Sequence, residues 1–481
     1  MSSKKVKQTA EYYQENRRIH WDKVAQRMRK WNGLGGYYHR RLNEIYSHVI
    51  PQGARVLELG CGDGNLLGSL KPERGLGVDL SPEMIALARE RNPSIQFEVA
   101  NAEDFSTDEK FDFVILSDIL NEVWDVQSLL EKVRERLGVG GRLLINVYSR
   151  LWELPLRLAE KANLSKPGLG ENWLTVPDIR NLLYLSGFET IKSSHEILFP
   201  VGIPFLRSFF NKFLVRFWPF NHMALTNFLV ARVMENAHSH EMKPVVSVIV
   251  PARNEAGNVE NIINRTPQMG GGTEIVFVEG NSTDDTWQVI LDRVKDHPEL
   301  KCQTLQQTGK GKGDAVRLGY EKATGEILMI LDADLTVPPE DLPRFYDALV
   351  SGKGDFINGV RLVYPMENEA MRFFNLLGNK FFSLTFSWLL GQPVKDTLCG
   401  TKVLWKKDYL RIAANRYVFG DFDPFGDFDL LFGAARLNFK IVDLPIRYRA
   451  RTYGTTNIER WKHGWLLLRM VLFAAKRIKF I

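Results

Sequence analysis

Short apolar strands alternating with helical stretches run through this sequence twice, and few folds satisfy such a pattern. The first series has strand-like segments at 55–59, 75–78, 96–99, 113–116 and 142–147, with helical periodicity at 82–91 and 126–137 between them. A second series begins with a strand at 245–250. It continues with a helix from Asn258, strands at 274–278, 302–305 and 326–331, and helices at 284–294 and 313–323. Strands of this kind, linked by crossover helices, form parallel sheets covered on both faces. The expected architecture is therefore α/β, with two doubly wound domains.

Length supports the division, because 481 residues exceed what one hydrophobic core normally serves and suggest two domains of roughly 240 residues. The polar stretch 235–244 reads as the linker, which gives a first domain at 1–234 and a second at 245–460. Within the first, His20-Trp-Asp22 and Gly33-Leu-Gly35-Gly36 precede the first strand and are expected to cap the domain, a helix is expected at 177–187 and a last strand at 227–233. The run 198–220 is crowded with Phe, Leu, Trp and Pro, and admits three readings: a lid, a membrane contact or inter-domain packing. The three cysteines, Cys61, Cys302 and Cys399, have no metal-ligand spacing and fit free thiols in a reducing compartment. The first residues lack the apolar run of a signal peptide, so a cytoplasmic location is expected.

Chemistry concentrates at strand ends. Glu58-Leu-Gly60-Cys-Gly62-Asp-Gly64 follows the first strand, and Asp79 closes the next. Glycines let backbone approach a ligand closely, and an acid about 20 residues on can accept hydrogen bonds from ribose hydroxyls. In the second half, Asp332-Ala-Asp334 follows the strand ending at Leu331. Two carboxylates so spaced can divide a ribose hydroxyl and a divalent cation between them, and oxygen ligands suit Mg²⁺ or Mn²⁺.

On the glycine motif, Asp79 and the run Ser117-Asp118-Ile-Leu-Asn121-Glu122, residues 15–233 resemble the class I S-adenosylmethionine-dependent methyltransferases, a Rossmann-like family. The resemblance implies that Glu58, Gly60 and Gly62 hold the amino-acid end of that cofactor and Asp79 its ribose. Asn101 and Ala102 would meet adenine, and Ser117 would offer backbone to the cofactor. Glu122 stands where many relatives have His, and reads either as a general base or as a helix cap.

Residues 244–460 resemble family 2 glycosyltransferases of the GT-A fold, the group that includes dolichol- and polyprenyl-phosphate sugar transferases. The resemblance rests on Pro251-Ala-Arg-Asn-Glu255, Glu279-Gly-Asn-Ser282, Gly311-Lys-Gly313, Asp332-Ala-Asp334, Asp396-Thr-Leu-Cys-Gly400-Thr and the segment 445–454. It implies a nucleotide-sugar donor whose nucleoside meets Pro251, Ala252, Glu255 and Glu279, whose ribose meets Asp332, and whose diphosphate meets a metal on Asp334. Asp396 would face the acceptor, as general base if that acceptor is a hydroxyl. Arg361, Lys402 and Arg451 would receive the phosphate of a polyprenyl-phosphate acceptor.

The aromatic helical stretch 367–390 and the tail 461–481 supply apolar surface beside cations, as interfacial helices do, and no run is long enough to span a bilayer. The chain is thus expected to be a bifunctional transferase, peripheral at the inner face of the cell membrane, with no nucleic-acid partner. The rival readings are a soluble acceptor, or one domain kept only for binding.

Overall fold

The structure, a computed structural model, describes residues 10–28, 36–161, 169, 172–200, 203–234, 243–361, 373–416, 428–446, 453 and 460–480. Arg451 and the glycines at 33 and 35 lie outside them. The chain divides into two compact units, Met1–Met234 together with Phe480–Ile481, and Glu235–Lys479.

The first unit is built on strands β1 (Arg55–Leu59), β2 (Arg74–Asp79), β3 (Gln96–Val99), β4 (Phe111–Ser117), β5 (Leu137–Tyr148), β6 (Phe188–Glu196) and β7 (Thr226–Val233). They lie in the order β3-β2-β1-β4-β5-β7-β6; β1 to β5 pair in parallel, and β7 runs antiparallel to both β5 and β6. Strand β1 reads Arg-Val-Leu-Glu-Leu, and its Val56 and Leu57 face opposite cores, since successive side chains point to opposite faces. Strand β6 was not expected from the sequence. Its burial is only intermittent, as befits the edge of a sheet.

The second unit holds β8 (Val246–Ala252), β9 (Thr273–Glu279), β10 (Lys301–Gln306), β11 (Ile327–Ile330), β12 (Phe356–Val360), β13 (Lys402–Trp405) and β14 (Ile441–Pro445). Their order is β10-β9-β8-β11-β13-β12-β14, with β13 antiparallel to its neighbours β11 and β12. The last three strands were likewise not expected from the sequence.

Both sheets share one topological property. The chain leaves β1 towards β2 and β3 on one side, then crosses to β4 and β5 on the other; β8 and β11 repeat the arrangement. Such a reversal opens a crevice beyond the carboxyl ends of the two central strands, where ligands bind in open α/β sheets. Gly60 follows β1, Ser117 ends β4, Pro251 and Ala252 end β8 and Asp332 follows β11.

The helix Gly36–Val49 (α2, after α1 at Ala10–Met28) covers the first sheet through Tyr38, Leu42, Ile45 and Tyr46. In the second unit the helix Arg460–Ala474 puts Leu467, Met470 and Ala474 into the core beside Phe386 and Leu390. Its opposite face carries exposed Trp465, Arg469 and Leu472, and exposed Lys476 follows in the turn Ala475–Lys479. The tail is therefore divided: one face is core, the other retains the apolar and cationic character expected of an interfacial helix. Among the described residues no helix is long and apolar enough to cross a membrane.

Close packing sets a testable limit. Gly319, in the helix Lys312–Lys322, lets that helix lie against β8, since a Cβ there would be 2.6 Å from Ile249 Cγ2. Gly319→Val is expected to lose about 1–3 kcal/mol of stability in urea unfolding, the usual range for overpacking a tight interior.

Candidate functional site

At the first switch point the loop after β1 turns on Gly60, Gly62 and Gly64, all with positive φ. At Gly60 a side chain would also strike Ile119, whereas at Gly62 an added Cβ meets nothing within 4 Å. The loop is pinned by Asp79: one carboxylate oxygen accepts the Gly62 N–H at 2.9 Å and the other the Ser81 N–H at 2.9 Å. Each oxygen keeps a further lone pair for another donor. Glu58 is buried, and its Oε2 has no hydrogen-bond partner. Burial, then the charge of Asp63, pushes its pKa well up. A buried carboxylate oxygen without a donor is uncommon in a finished core and expected where a donor-bearing ligand completes the site.

Asn101 Oδ1 accepts the Glu103 N–H and its amide donates to Asp104, so the turn after β3 is self-bonded, with Ala102 buried beneath it. Glu122 does not cap the start of the helix that follows it. That role belongs to Asp125, whose carboxylate accepts from Ser128 N at the start of the helix Val126–Arg136. Instead Glu122 Oε2 accepts from Trp21 Nε1 at 2.6 Å and from Arg17 at 3.4 Å. Its pKa is raised, chiefly by burial, with Arg17 opposing. The same helix α1 sends Asp22 to accept from Ser81 Oγ at 2.5 Å. Helix α1 is thereby tied to the ends of both β2 and β4.

A cluster unforeseen from the sequence lies beside it. Asp118 follows β4 with φ +57°, and accepts from Tyr38 Oη at 2.9 and 3.0 Å and from Asn146 Nδ2 at 2.6 Å. Tyr46 Oη donates to Asn146 Oδ1 at 2.7 Å. These residues come from α2, β4 and β5, so local spacing could not announce them.

At the second switch point Glu255 is buried, accepting from Asn258 Nδ2 at 2.7 Å, while its N–H donates to Thr286 Oγ1 at 2.9 Å. Glu279 accepts the Ser282 N–H at 2.5 Å, and Gly280 N donates to Ala252 O at 2.8 Å, closing Pro251 and Ala252 against the end of β9. Asp332 pairs with Lys312 Nζ at 2.7 Å. Burial alone would raise the Asp332 pKa, but Lys312, Arg361 and Lys402 together bring it below its ordinary value. Gly400 packs so closely on this pair that a Cβ would collide with both Asp332 and Lys312. That contact explains why three motifs separated in sequence converge. Asp334 accepts from the N–H and hydroxyl of Thr336 at 3.1 and 2.7 Å. Among the described residues no group of three His, Cys, Asp or Glu side chains forms a ready metal site. Asp334 beside Asp332 suits a cation such as Mg²⁺ that takes its remaining ligands from water and substrate phosphate.

Asp396 is 2% exposed and saturated. Its oxygens accept from Arg361 N, Nε and Nη2 at 3.1, 2.7 and 2.8 Å, and from Leu398 N and Cys399 N at 3.0 and 3.2 Å. Burial is the largest influence and raises its pKa, yet Arg361 and Lys402 outweigh it and hold the carboxyl below its usual range. Lys402, 0% exposed, donates to the Cys399 carbonyl from the interior. Arg361 and Lys402 are thus brought to one charged centre with Asp332 and Asp396, but Lys402 does not face outward. Of the seven non-glycine residues with positive φ among the described residues, Asp118, Asn254, Asn281 and Leu335 flank the two crevices, where strained backbone is most often retained.

Residues 50–187 match the family model described as a methyltransferase domain, and residues 247–409 match that of glycosyl transferase family 2. The chain thus joins two transferase domains in one polypeptide. The dolichol-phosphate mannosyltransferase of Pyrococcus furiosus is 33% identical over 219 residues, covering 44% of this chain and 59% of that protein. The undecaprenyl-phosphate 4-deoxy-4-formamido-L-arabinose transferase of Pectobacterium carotovorum is 28% identical over 158 residues, 32% of this chain and 46% of that one. The chain therefore spans about half the length of these relatives. A solved magnesium protoporphyrin IX methyltransferase from Synechocystis with bound SAH aligns with TM-score 0.34 and 16% identity, over 46% of this chain and 98% of its own.

The saturated Asp396 leads to a pH-dependent expectation. A carboxyl with a depressed native pKa stabilises the fold fully above its unfolded value near ~3.9, and loses that contribution as pH falls through the native value. Asp396→Asn should therefore cost about 3–5 kcal/mol at pH 7, the range for breaking a buried ion pair. The gap from the parent should narrow below about pH 4 in urea unfolding.

Proposed function

We propose that the chain is a bifunctional enzyme: an S-adenosylmethionine-dependent methyltransferase joined to a metal-dependent, inverting glycosyltransferase that moves a sugar from a nucleotide diphosphate to a polyprenyl phosphate. The observation that carries the reading is that each domain builds its charged, glycine-bearing loops around the crevice at its own switch point. In the first, Asp79 clamps Gly62 while Glu58 keeps an oxygen without a donor.

In the methyl half, Glu58, Gly60, Gly62, Asp79, Asn101, Ala102 and Ser117 would hold S-adenosylmethionine, whose sulfonium supplies an electrophilic methyl group. Glu122 is the base we assign; burial raises its proton affinity, as such a role requires. Its Oε2 is at the same time the fastening for α1.

In the sugar half, Pro251, Ala252, Glu255 and Glu279 would frame the nucleoside, and Asp332 its ribose. A divalent cation on Asp334 would neutralise charge on the departing diphosphate. Lys312 adds a fixed positive charge at the same point. A hydroxyl acceptor needs a base, and Asp396 is ill suited to that work because five donors occupy its oxygens and its proton affinity is low. A phosphate acceptor is already an oxyanion and needs a cation instead. We therefore assign Asp396 to orienting Arg361 and Arg361 to the acceptor phosphate, with Lys402 as interior charge compensation. Arg451 keeps its assignment to the acceptor phosphate on sequence alone. The two relatives, a dolichol-phosphate mannosyltransferase and an undecaprenyl-phosphate 4-deoxy-4-formamido-L-arabinose transferase by name, support this acceptor class. The outer face of the C-terminal helix, with Trp465 and Leu472 beside Arg469 and Lys476, would meet the membrane that carries such an acceptor. A peripheral attachment at the cytoplasmic face of the cell membrane follows.

A crossed pair of variants tests the division. Asp334→Ala should abolish Mn²⁺- or Mg²⁺-dependent release of nucleoside diphosphate from a panel of nucleotide sugars with polyprenyl phosphate, and leave S-adenosylmethionine affinity unchanged. Asp79→Ala should weaken S-adenosylmethionine binding in calorimetry by about 3 kcal/mol, near two charge-assisted hydrogen bonds, and spare sugar transfer. Loss of both activities in either folded variant would refute independent sites.

A further inference from the structure

Among their described side chains, residues 203–223 of the first unit bury only Asn211 and Val215 and leave most of their aromatic rings partly or largely exposed. Their buried anchor is polar: Asn211 accepts from Phe199 N at 2.7 Å and donates to Phe199 O at 2.7 Å and Tyr37 Oη at 2.8 Å. Their outer side is apolar. Phe205 is 82% exposed and Trp218 78%, and Phe209, Phe220 and Met223 are exposed with them. Trp152 Nε1 donates to Met223 O at 2.9 Å, which brings the neighbouring helix Glu153–Lys161 alongside, where Leu154 and Leu158 are also exposed. Several large apolar side chains exposed in neighbouring segments are a feature of docking surfaces, whereas single exposed ones are ordinary.

Its charge selects the partner. From Ile197 to Met234 the chain contains no Asp or Glu, while Arg207, Lys212 and Arg216 lie among the aromatics. Arg216 is committed inward to Glu196, but Lys212 is exposed and Arg207 lies over the Tyr37 ring. Within 203–223 aromatic and aliphatic side chains lie beside cations without acids, and in the adjoining helix Glu153 is paired with Arg157 at 2.9 Å. Such a face matches an anionic bilayer surface, whose headgroups take the cations and whose acyl boundary takes the rings. The face is also linked to the methyl site. Tyr37 bonds Asn211, and its neighbour Tyr38 on α2 bonds Asp118 at the end of β4.

We propose that the methyltransferase unit itself docks on an anionic membrane through this face, and that its methyl acceptor is presented from the lipid surface. The acceptor clause rests on the methyl-transfer reading above; the docking clause does not.

The test uses the full chain and vesicles of equal parts phosphatidylcholine and phosphatidylglycerol, with pure phosphatidylcholine as the comparison. A triple variant Phe205→Ser, Lys212→Glu, Trp218→Ser should partition at least tenfold more weakly than the parent onto the anionic vesicles, with S-adenosylmethionine affinity retained as evidence of folding. The pair Trp465→Ser, Leu472→Ser reports separately on the C-terminal helix. If the triple variant binds like the parent and the pair does not, the docking proposal fails and the membrane role of the tail stands. If the triple variant loses binding and the pair keeps it, docking through this face stands and the tail has no part in it. In case the triple variant misfolds, brominated lipids should quench a component of parent tryptophan emission that Trp218→Phe removes. Absence of that component overturns the proposal. So does a parent that forms dimers without lipid through this face, shown by a monomeric triple variant with unchanged vesicle binding.

Discussion

Everything that bears chemistry in this chain depends on where a parallel sheet reverses its winding. A parallel strand must be buried on both faces, so its side chains are spent on packing, as Val56 and Leu57 are in opposite cores. Only the carboxyl ends of the central strands remain for polar work. At β1 and β4, and again at β8 and β11, the chain departs in opposite directions and leaves those ends uncovered by a connecting loop. The requirement operates through the backbone, so two unrelated sequences meet it with different residues: a glycine turn clamped by Asp79, and a carboxylate pair braced by Lys312.

The two crevices handle buried charge in opposite ways. In the sugar half Asp332 has Lys312, Asp396 has Arg361, and Lys402 acts on both from the interior. The two carboxyls are held below their ordinary pKa by fixed cationic partners, an arrangement that suits recognition of a diphosphate and a phosphate whose charges need opposing cations. In the methyl half Glu58 and Glu122 are pushed towards the protonated form by burial. A cationic cofactor would restore their charge. The electrostatic state of each crevice thus matches the sign of the ligand proposed for it.

How far the sequence revealed this depended on how local each feature is. The strand and glycine turn of β1, the acid at Asp79 and the pair Asp332 and Asp334 are contiguous or fall at fixed offsets, and they were legible. Residues joined across the sheet were not. Tyr38, Asp118 and Asn146 come from three elements, and only folding brings them together. Lys312 was visible as a motif, but nothing local tied it to Asp332 or required Gly400 to lie against them. Spacing along the chain carries no information about depth, so the expectation that Lys402 and Asp396 face the acceptor could not foresee their burial. Strands β12, β13 and β14 were missed for a related reason: they are short, and β13 runs against its neighbours, so no repeating crossover marks them. Arg451 lies outside the described residues, and its role rests on sequence alone.

The segment 203–223 shows the limit of composition most clearly, because the same Phe, Leu and Trp content fits a core, a lid or an exposed face. Hydrophobic burial alone would turn those rings inward, at roughly 1.5–3 kcal/mol for each side chain fully buried. Their outward placement persists because Asn211 secures the interior side with three hydrogen bonds while Arg216 and Glu196 form a buried ion pair beneath. Polar groups, usually the costlier cargo of an interior, here determine which side faces in. The apolar side chains are then left to an environment that water does not provide, and the cations among them, with no acid between 197 and 234, suit the anionic lipid surface proposed for this face.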